Sequence, residues 1–215
     1  MRLKLVLGAI MFVASATLAH ANTITGQLWH VPEATTLNAV PGNVPGTTPD
    51  VVFDVLSPMN FNATNATVGD WLASGSAFNI VENTAGTLAS LMDNSTIGTI
   101  LNFTGFVSVV TGQQFTVTHD DGLSLIIGGI DLNFNPGPTA PTQSVATYTG
   151  PSGNFAFQLV YAECCGGPAV LQIDLPFSNA PPVPVPMAMP LLLSGFGMLG
   201  FFGWRRRKEA FAKAA

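Results

Sequence analysis

Phe115-Thr-Val-Thr-His-Asp-Asp-Gly-Leu-Ser-Leu-Ile-Ile-Gly-Gly129 holds two alternating segments on either side of an acidic turn. Phe115, Val117 and His119 alternate with Thr116 and Thr118, and Leu123, Leu125 and Ile127 alternate with Ser124 and Ile126. The same period of two runs through Phe155–Ala162 and Leu171–Leu175. In a strand, successive side chains point to opposite faces, so this spacing of aromatic and β-branched residues predicts half-buried strands. Turn clusters separate them: Gly128-Gly129, Asn135-Pro-Gly-Pro138, Gly150-Pro-Ser-Gly153 and Gly166-Gly-Pro168. Many short strands at this spacing predict an all-β fold, an antiparallel β-sandwich of jelly-roll type spanning residues 22–180. Within it, Val31–Pro49 is expected to be a long loop. Gly86–Asn94 is expected to form one short helix, capped by Thr87, with Leu88, Leu91 and Met92 on one face.

Outward from this body, the charge distribution is lopsided. The chain of 215 residues has 7 Lys and Arg against 12 Asp and Glu, yet none of the seven lies between residues 5 and 204. Every acid except Glu209 does lie there. A body without a cation cannot clamp phosphates with side chains, which excludes nucleic-acid binding and any mechanism built on a catalytic Lys or Arg. The basic residues sit at the two ends. Arg2 and Lys4 precede an apolar run from Leu5, and Ala19-His-Ala21 supplies the small residues of a cleavage site. Residues 1–21 therefore read as a signal helix that exports the chain, cut before Asn22. At the other end, Pro-rich residues 181–186 form a stiff linker. Residues 187–204 are an uncharged apolar stretch long enough for a transmembrane helix, and residues 205–215 form a basic cytoplasmic tail that opens with Arg205-Arg-Arg-Lys208.

Val183-Pro-Val-Pro-Met-Ala-Met-Pro-Leu-Leu-Leu-Ser-Gly-Phe-Gly-Met-Leu-Gly-Phe-Phe-Gly-Trp-Arg-Arg-Arg-Lys208 resembles the PEP-CTERM class of sorting signals, and within it the Val-Pro-Leu-Pro-Ala type. Val185 and Met187 stand where that type has Leu and Ala. The resemblance implies a Gram-negative envelope protein held transiently in the inner membrane. An exosortase-type protease then processes it, and it passes to the cell surface or an extracellular, biofilm-type matrix.

A second resemblance starts in the strands quoted first. Val117–Gly129, followed by Tyr148–Leu171 with its strand ending Tyr161-Ala-Glu163 and its loop Cys164-Cys-Gly-Gly-Pro168, is similar to the protective-antigen insert module. That module is a β-sandwich found in toxins, glycosidases and flocculin-type adhesins. The resemblance implies that Asp120 and Asp121 hold one Ca²⁺, which in turn grips sugar hydroxyls. Ca²⁺ takes six to eight oxygen ligands, and two carboxylates fixed on one turn supply charge at little ordering cost. The module's further ligands come from the later loop, often through an Asn. Here that loop has none, so Glu163 would stand in, with Gly166 and Gly167 lining the ligand. The competing reading makes Asp120-Asp121-Gly122 a hairpin turn whose carboxylates accept backbone N–H bonds.

Cys164 and Cys165 are the only cysteines, and in an oxidising compartment a disulfide between the two is expected, stiffening the loop before Gly166-Gly167; the alternative is free or cross-chain thiols. His119 falls on the inward side and is expected to be a hydrogen-bonded core or rim residue rather than a ligand. Trp29, Trp71 and Tyr161 are expected in the core. The leading functional expectation is a non-enzymatic surface or matrix protein that binds exopolysaccharide. The alternatives are a secreted carbohydrate-active hydrolase, with Asp120 and Glu163 as its carboxyl pair, and a purely structural surface protein without ligand.

Overall fold

A computed structural model describes residues 23–75 and 77–180. The expected signal helix and the segments from residue 181 onward lie outside the described residues. Among the described residues, no helix is long and apolar enough to cross a membrane.

The chain runs through β1 (Thr23–Pro32), a single turn of helix α1 (Glu33–Thr36), β2 (Val51–Leu56), β3 (Met59–Thr64), α2 (Val68–Ser74) and β4 (Ala77–Glu82). It continues through β5 (Ile97–Val109), β6 (Gln114–Asp120), β7 (Leu123–Ile127), β8 (Ile130–Asp131), β9 (Thr142–Thr147), β10 (Gly153–Glu163), β11 (Pro168–Ile173) and β12 (Phe177–Ser178). The larger sheet has the order β4-β2-β1-β5-β10-β7-β8, with β12 added against β5, and the smaller has the order β3-β11-β6-β9. Every strand pairing is antiparallel. The two sheets share one core that includes Phe53, Phe103, Leu125 and Leu159 from the larger and Phe61, Val117 and Leu171 from the smaller. The expected antiparallel all-β body is therefore what the chain forms.

Alternation is clean where one face meets water. β2 alternates between buried and half-buried side chains along its whole length, and β9 alternates between half-buried and exposed ones. It breaks down where β5 and β10 lie side by side, with Gly98–Phe103 and Leu159–Glu163 buried continuously. There the second face of the larger sheet is covered too, with Ala39 and Val44 of the segment after α1 packing on Ile100, Val160 and Ala162. A strand buried on both faces loses its period-two signature. Residues 31–49 are thus not an idle loop. They contain α1 and a short 3₁₀ turn (Pro41–Asn43), and they form a lid over the middle of the sheet.

Two local expectations are corrected. Residues 86–94 form no helix. Thr87, Ala89 and Ser90 donate to carbonyls three residues back, and the chain then straightens. The carbonyls of Leu88 and Ser90 instead accept from the N–H groups of Gly69 (2.9 Å) and Val68 (2.8 Å), at the start of α2. Those orphan donors of a helix N-terminus have claimed the acceptors that a helix at 86–94 would need. The real helix is α2, where Thr67 caps Asp70 N–H and also donates to the Asp70 carboxylate at 2.7 Å. Val68, Trp71 and Leu72 are buried at helical spacing on its inner face. The signal was present as Thr67-Val-Gly-Asp70, the Ser/Thr-x-x-acid pattern that opens helices.

The second correction concerns Asp120-Asp121-Gly122. It is not a hairpin turn, because β6 belongs to the smaller sheet and β7 to the larger, and the two strands do not pair. The acidic pair sits where the chain crosses from one sheet to the other, at the end of the sandwich. Gly122 is required there by space alone. A Cβ on it would lie 2.0 Å from the carbonyl oxygen of Pro136, a backbone atom that cannot swing away.

Candidate functional site

β6 delivers Asp120 and Asp121 to this crossing, joined by a cis peptide bond. Both are nearly inaccessible, at 4% and 5% exposure, yet their carboxylates are treated very differently. Asp121 accepts from the Cys164 N–H at 2.8 Å through one oxygen and from the Thr139 N–H at 3.1 Å through the other. It therefore ties together the loop after β10 and the approach to β9. Its own carbonyl accepts from Nδ1 of His119 at 2.6 Å, which places the ring proton on Nδ1. Nε2 shares a hydrogen bond of 2.9 Å with the Ser144 hydroxyl. His119 is fully buried and hydrogen-bonded at both nitrogens, as expected of a positioning core residue rather than a ligand.

The Asp120 carboxylate accepts no hydrogen bond from the described residues, although its backbone carbonyl takes the Tyr161 hydroxyl. Burial pushes its carboxyl up to about 6, with the charges of Asp121 and Asp93 adding to the shift. Asp121 is also raised, chiefly by burial, against the pull of its two N–H donors. Both carboxylates face a cleft of about 490 Å³ whose other walls include Thr139, Cys165, Gly166 and Gly167. Gly166 and Gly167 have φ of +74° and +120°, left-handed values that let the loop turn tightly beside the Asp120 carboxylate. Cys164 and Cys165 are bonded to each other, with Cys164 buried and Cys165 exposed on the rim. Their sulfurs lie near the Asp121 carboxylate but are spent on the disulfide, so this group offers a cation only the carboxylate.

The structure does not bring Glu163 to the cleft. It is 1% exposed and turned inward, with its carboxyl 2.5 Å from the Tyr161 hydroxyl. Burial pushes that carboxyl up to about 10 against the pull of the Tyr161 hydroxyl, and the nearby Asp121, Asp120 and Asp93 charges add to the rise. The hydrogen count leads to the same state. The Tyr161 hydroxyl has one proton and touches two oxygens, the Asp120 carbonyl and Glu163 Oε2. A protonated Glu163 donates to Tyr161, which donates to the Asp120 carbonyl, and each contact is satisfied. Glu163 is therefore a neutral strut beneath the acidic pair and not a third carboxylate ligand.

This strut makes a pH prediction. A carboxyl raised from 4.5 to about 10 stabilises the fold fully below its unfolded value, and that stability drains as pH rises toward 10. Stability in calcium-free buffer should fall by as much as about 1.4 kcal/mol per pH unit in this window. The melting temperature should drop by about 5 °C between pH 6 and pH 8. Glu163→Gln keeps a donor to Tyr161 and cannot ionise, so its melting temperature should change by less than about 2 °C. A wild type as flat as the variant would rule out the neutral strut.

Sequence reasoning missed two contributors to the site. Asp93 accepts from the Gly166 N–H at 2.8 Å and so holds the far side of the Cys164–Gly167 loop. Thr139 supplies its backbone N–H to Asp121. Neither carries a local motif, and only the fold brings them in. Trp29, Trp71 and Tyr161 are all core residues, and none lines the cleft.

No family model matches the chain, and no curated protein does either. Among solved structures, the PA14 sugar-binding domain from an RTX adhesin matches with a TM-score of 0.51 at 18% identity, covering 73% of this chain and 90% of that one. The PA14 domain of the MpAFP antifreeze protein gives 0.49 at 16% identity, over 79% and 90%. The Epithelial Adhesin 6 A domain from Candida glabrata, solved with Galb1-3GlcNAc, gives 0.34 at 12% identity, over 78% and 84%. The likeness to the adhesin domain shows that this chain has a similar fold, and at such identity it shows nothing more.

Proposed function

We propose that the body is a non-enzymatic carbohydrate-binding module of an exported envelope or matrix protein, in which Asp120 and Asp121 hold Ca²⁺. The observation that carries this is the Asp120 carboxylate, which lines the cleft beside a second carboxylate, is raised to about 6 and accepts no hydrogen bond from the described residues. A partly desolvated carboxylate held among like charges costs stability unless a cation pairs with it. No Lys or Arg lies within reach anywhere in the body, so the partner must come from outside. The donors fit a hard cation, because two carboxylates line the cleft. The protein supplies fewer than the six to eight oxygens that Ca²⁺ takes, so solvent or ligand hydroxyls complete the shell. When bound, the ion supplies open positions that vicinal hydroxyls can fill. The chain's own part is to fix the two acids through Tyr161, His119 and the Cys164 N–H.

The solved structures support a sugar as ligand, because the adhesin domain of similar fold is a sugar-binding one. The hydrolase reading loses its second group, since Glu163 faces Tyr161 and not the cleft. Extracellular polysaccharide is accordingly the proposed partner. The sorting signal adds an exosortase-type protease and a transient stay in the inner membrane. The test is a calcium titration followed by thermal unfolding, then a glycan array with and without the ion. Saturating Ca²⁺ at about a hundred times its dissociation constant should stabilise the domain by about 2.7 kcal/mol. Array signals should vanish in chelator. Unfolding that does not respond to millimolar calcium would end this reading.

A further inference from the structure

The loop after β10 has two sides. On one lies the Asp120–Asp121 cleft. On the other lies a second cleft of about 410 Å³, lined by Glu33, Asn65, Leu91, Asp93 and Asn94. Cys165 and Gly166 line both, so the disulfide is a ridge that separates two adjoining depressions. The ridge is pinned from each side, by Asp121 on the Cys164 N–H and by Asp93 on the Gly166 N–H.

The second cleft has unspent recognition capacity. The side chains of Glu33 and Asn65 make no hydrogen bond with the described residues. Asn94 spends its carbonyl oxygen on Thr96 and Ile97, which leaves its N–H₂ free. Asp93 uses one carboxylate oxygen on Gly166. Leu91 is 47% exposed and offers an apolar surface for the C–H face of a ring. Polar groups around an apolar patch, next to a site that already implies a ligand, are the make-up of a sugar subsite. Its charge is one-sided, because Glu33 and Asp93 have no Lys or Arg to neutralise them in the whole body.

We infer that this cleft is a second subsite, occupied by the neighbouring sugar of an oligosaccharide that straddles the Cys164–Cys165 ridge, and that it takes a sugar bearing a free ammonium group. The ammonium meets Glu33 and Asp93, hydroxyls meet Asn65 and Asn94, and the ring lies against Leu91. An anionic sugar is repelled by the same two acids. The inference rests on the carbohydrate reading above and adds the length and charge class of the ligand.

The test uses three tetrasaccharides of one linkage, built from glucosamine, N-acetylglucosamine and glucuronate. Binding is measured with calcium at about pH 6.5, where an ordinary amine is charged. The glucosamine oligomer should bind about tenfold tighter than its acetylated counterpart, and the glucuronate oligomer weakest. It should also bind about tenfold tighter than glucosamine itself, because two subsites are engaged. Raising the salt to about 0.5 M should shrink the amine preference. Glu33→Gln should cut it to about threefold. Equal affinity for the amine and acetyl oligomers, or a preference untouched by Glu33→Gln, overturns the inference. The two readings fail separately. A calcium-dependent thermal shift without amine preference removes the second subsite alone, while amine preference without a calcium response keeps this cleft and discards the cation.

Discussion

Replacing Trp71 by Ala should lower the unfolding free energy by about 5 kcal/mol, a third or more of the stability of an ordinary domain. Trp71 is fully buried, and its ring stacks on Phe61 at 4.2 Å and lies parallel to Tyr161 at 6.1 Å. Its indole N–H donates to the Ala169 carbonyl at 3.1 Å. Truncation therefore opens a cavity between α2 and the smaller sheet, and it leaves a buried carbonyl in β11 without its donor. Trp71→Phe should recover about half of the loss, because the ring returns without the N–H. The damage should also reach the site. Tyr161, which supports the Asp120 carbonyl, loses the ring beside it, so any calcium response should weaken along with stability. Chemical denaturation of the three proteins measures this. A loss under about 2 kcal/mol for Trp71→Ala would mean that the stack is incidental.

That the centre of the molecule lies here was only partly legible. Phe115–Val117 and Leu123–Ile127 announced themselves as strands because each has one buried face and one less buried face. α2 was overlooked because it is only seven residues long, and its cap, Thr67-x-x-Asp70, was more informative than its short apolar pattern. The helix expected at 86–94 had the right apolar spacing. It failed because α2 takes the carbonyls it would have used, a contest between two segments that no window of sequence displays. The site divides in the same way. Asp120 and Asp121 are adjacent and acidic, so their standing side by side at the end of a strand could be read directly. That they sit at a crossing between sheets could not, because a turn between paired strands and a crossover have the same local composition. Glu163 shows the limit most clearly. Its position next to the Cys-Cys loop pointed to the cleft, but β10 places its side chain against Tyr161 and not on the cleft wall. β10 is covered on both faces at this point, so no alternation in the sequence tells which way an acid there is turned.

Asp120 and Asp121 should respond to substitution with opposite signs. At pH 7 without metal, the Asp120 carboxylate is ionised above its value of about 6, facing like charges and accepting no hydrogen bond from the described residues. For an acid raised in the fold, stability is lost as pH climbs through that value, so the charge is a cost at neutral pH. Asp120→Asn removes it and should stabilise the metal-free protein by about 1 kcal/mol, after allowance for solvent screening at the cleft. Asp121→Ala removes the acceptor of both the Cys164 and Thr139 N–H groups, and should destabilise by about 3 kcal/mol. Asp121→Asn keeps one acceptor oxygen and should lose about half of that. All three should lose calcium affinity by about thirtyfold or more, because each removes one of the two charged ligands proposed above. Thermal unfolding in chelator and in calcium reads both effects on the same samples. A site shaped only by structural need would show destabilisation at both positions. Gain of stability with loss of binding at Asp120, against loss of both at Asp121, is expected only if one acid is kept in place for a ligand and the other holds the loops around it. Destabilisation by Asp120→Asn in chelator would show that this carboxylate has a structural partner in the fold, and would remove the main ground for a cation at the crossing.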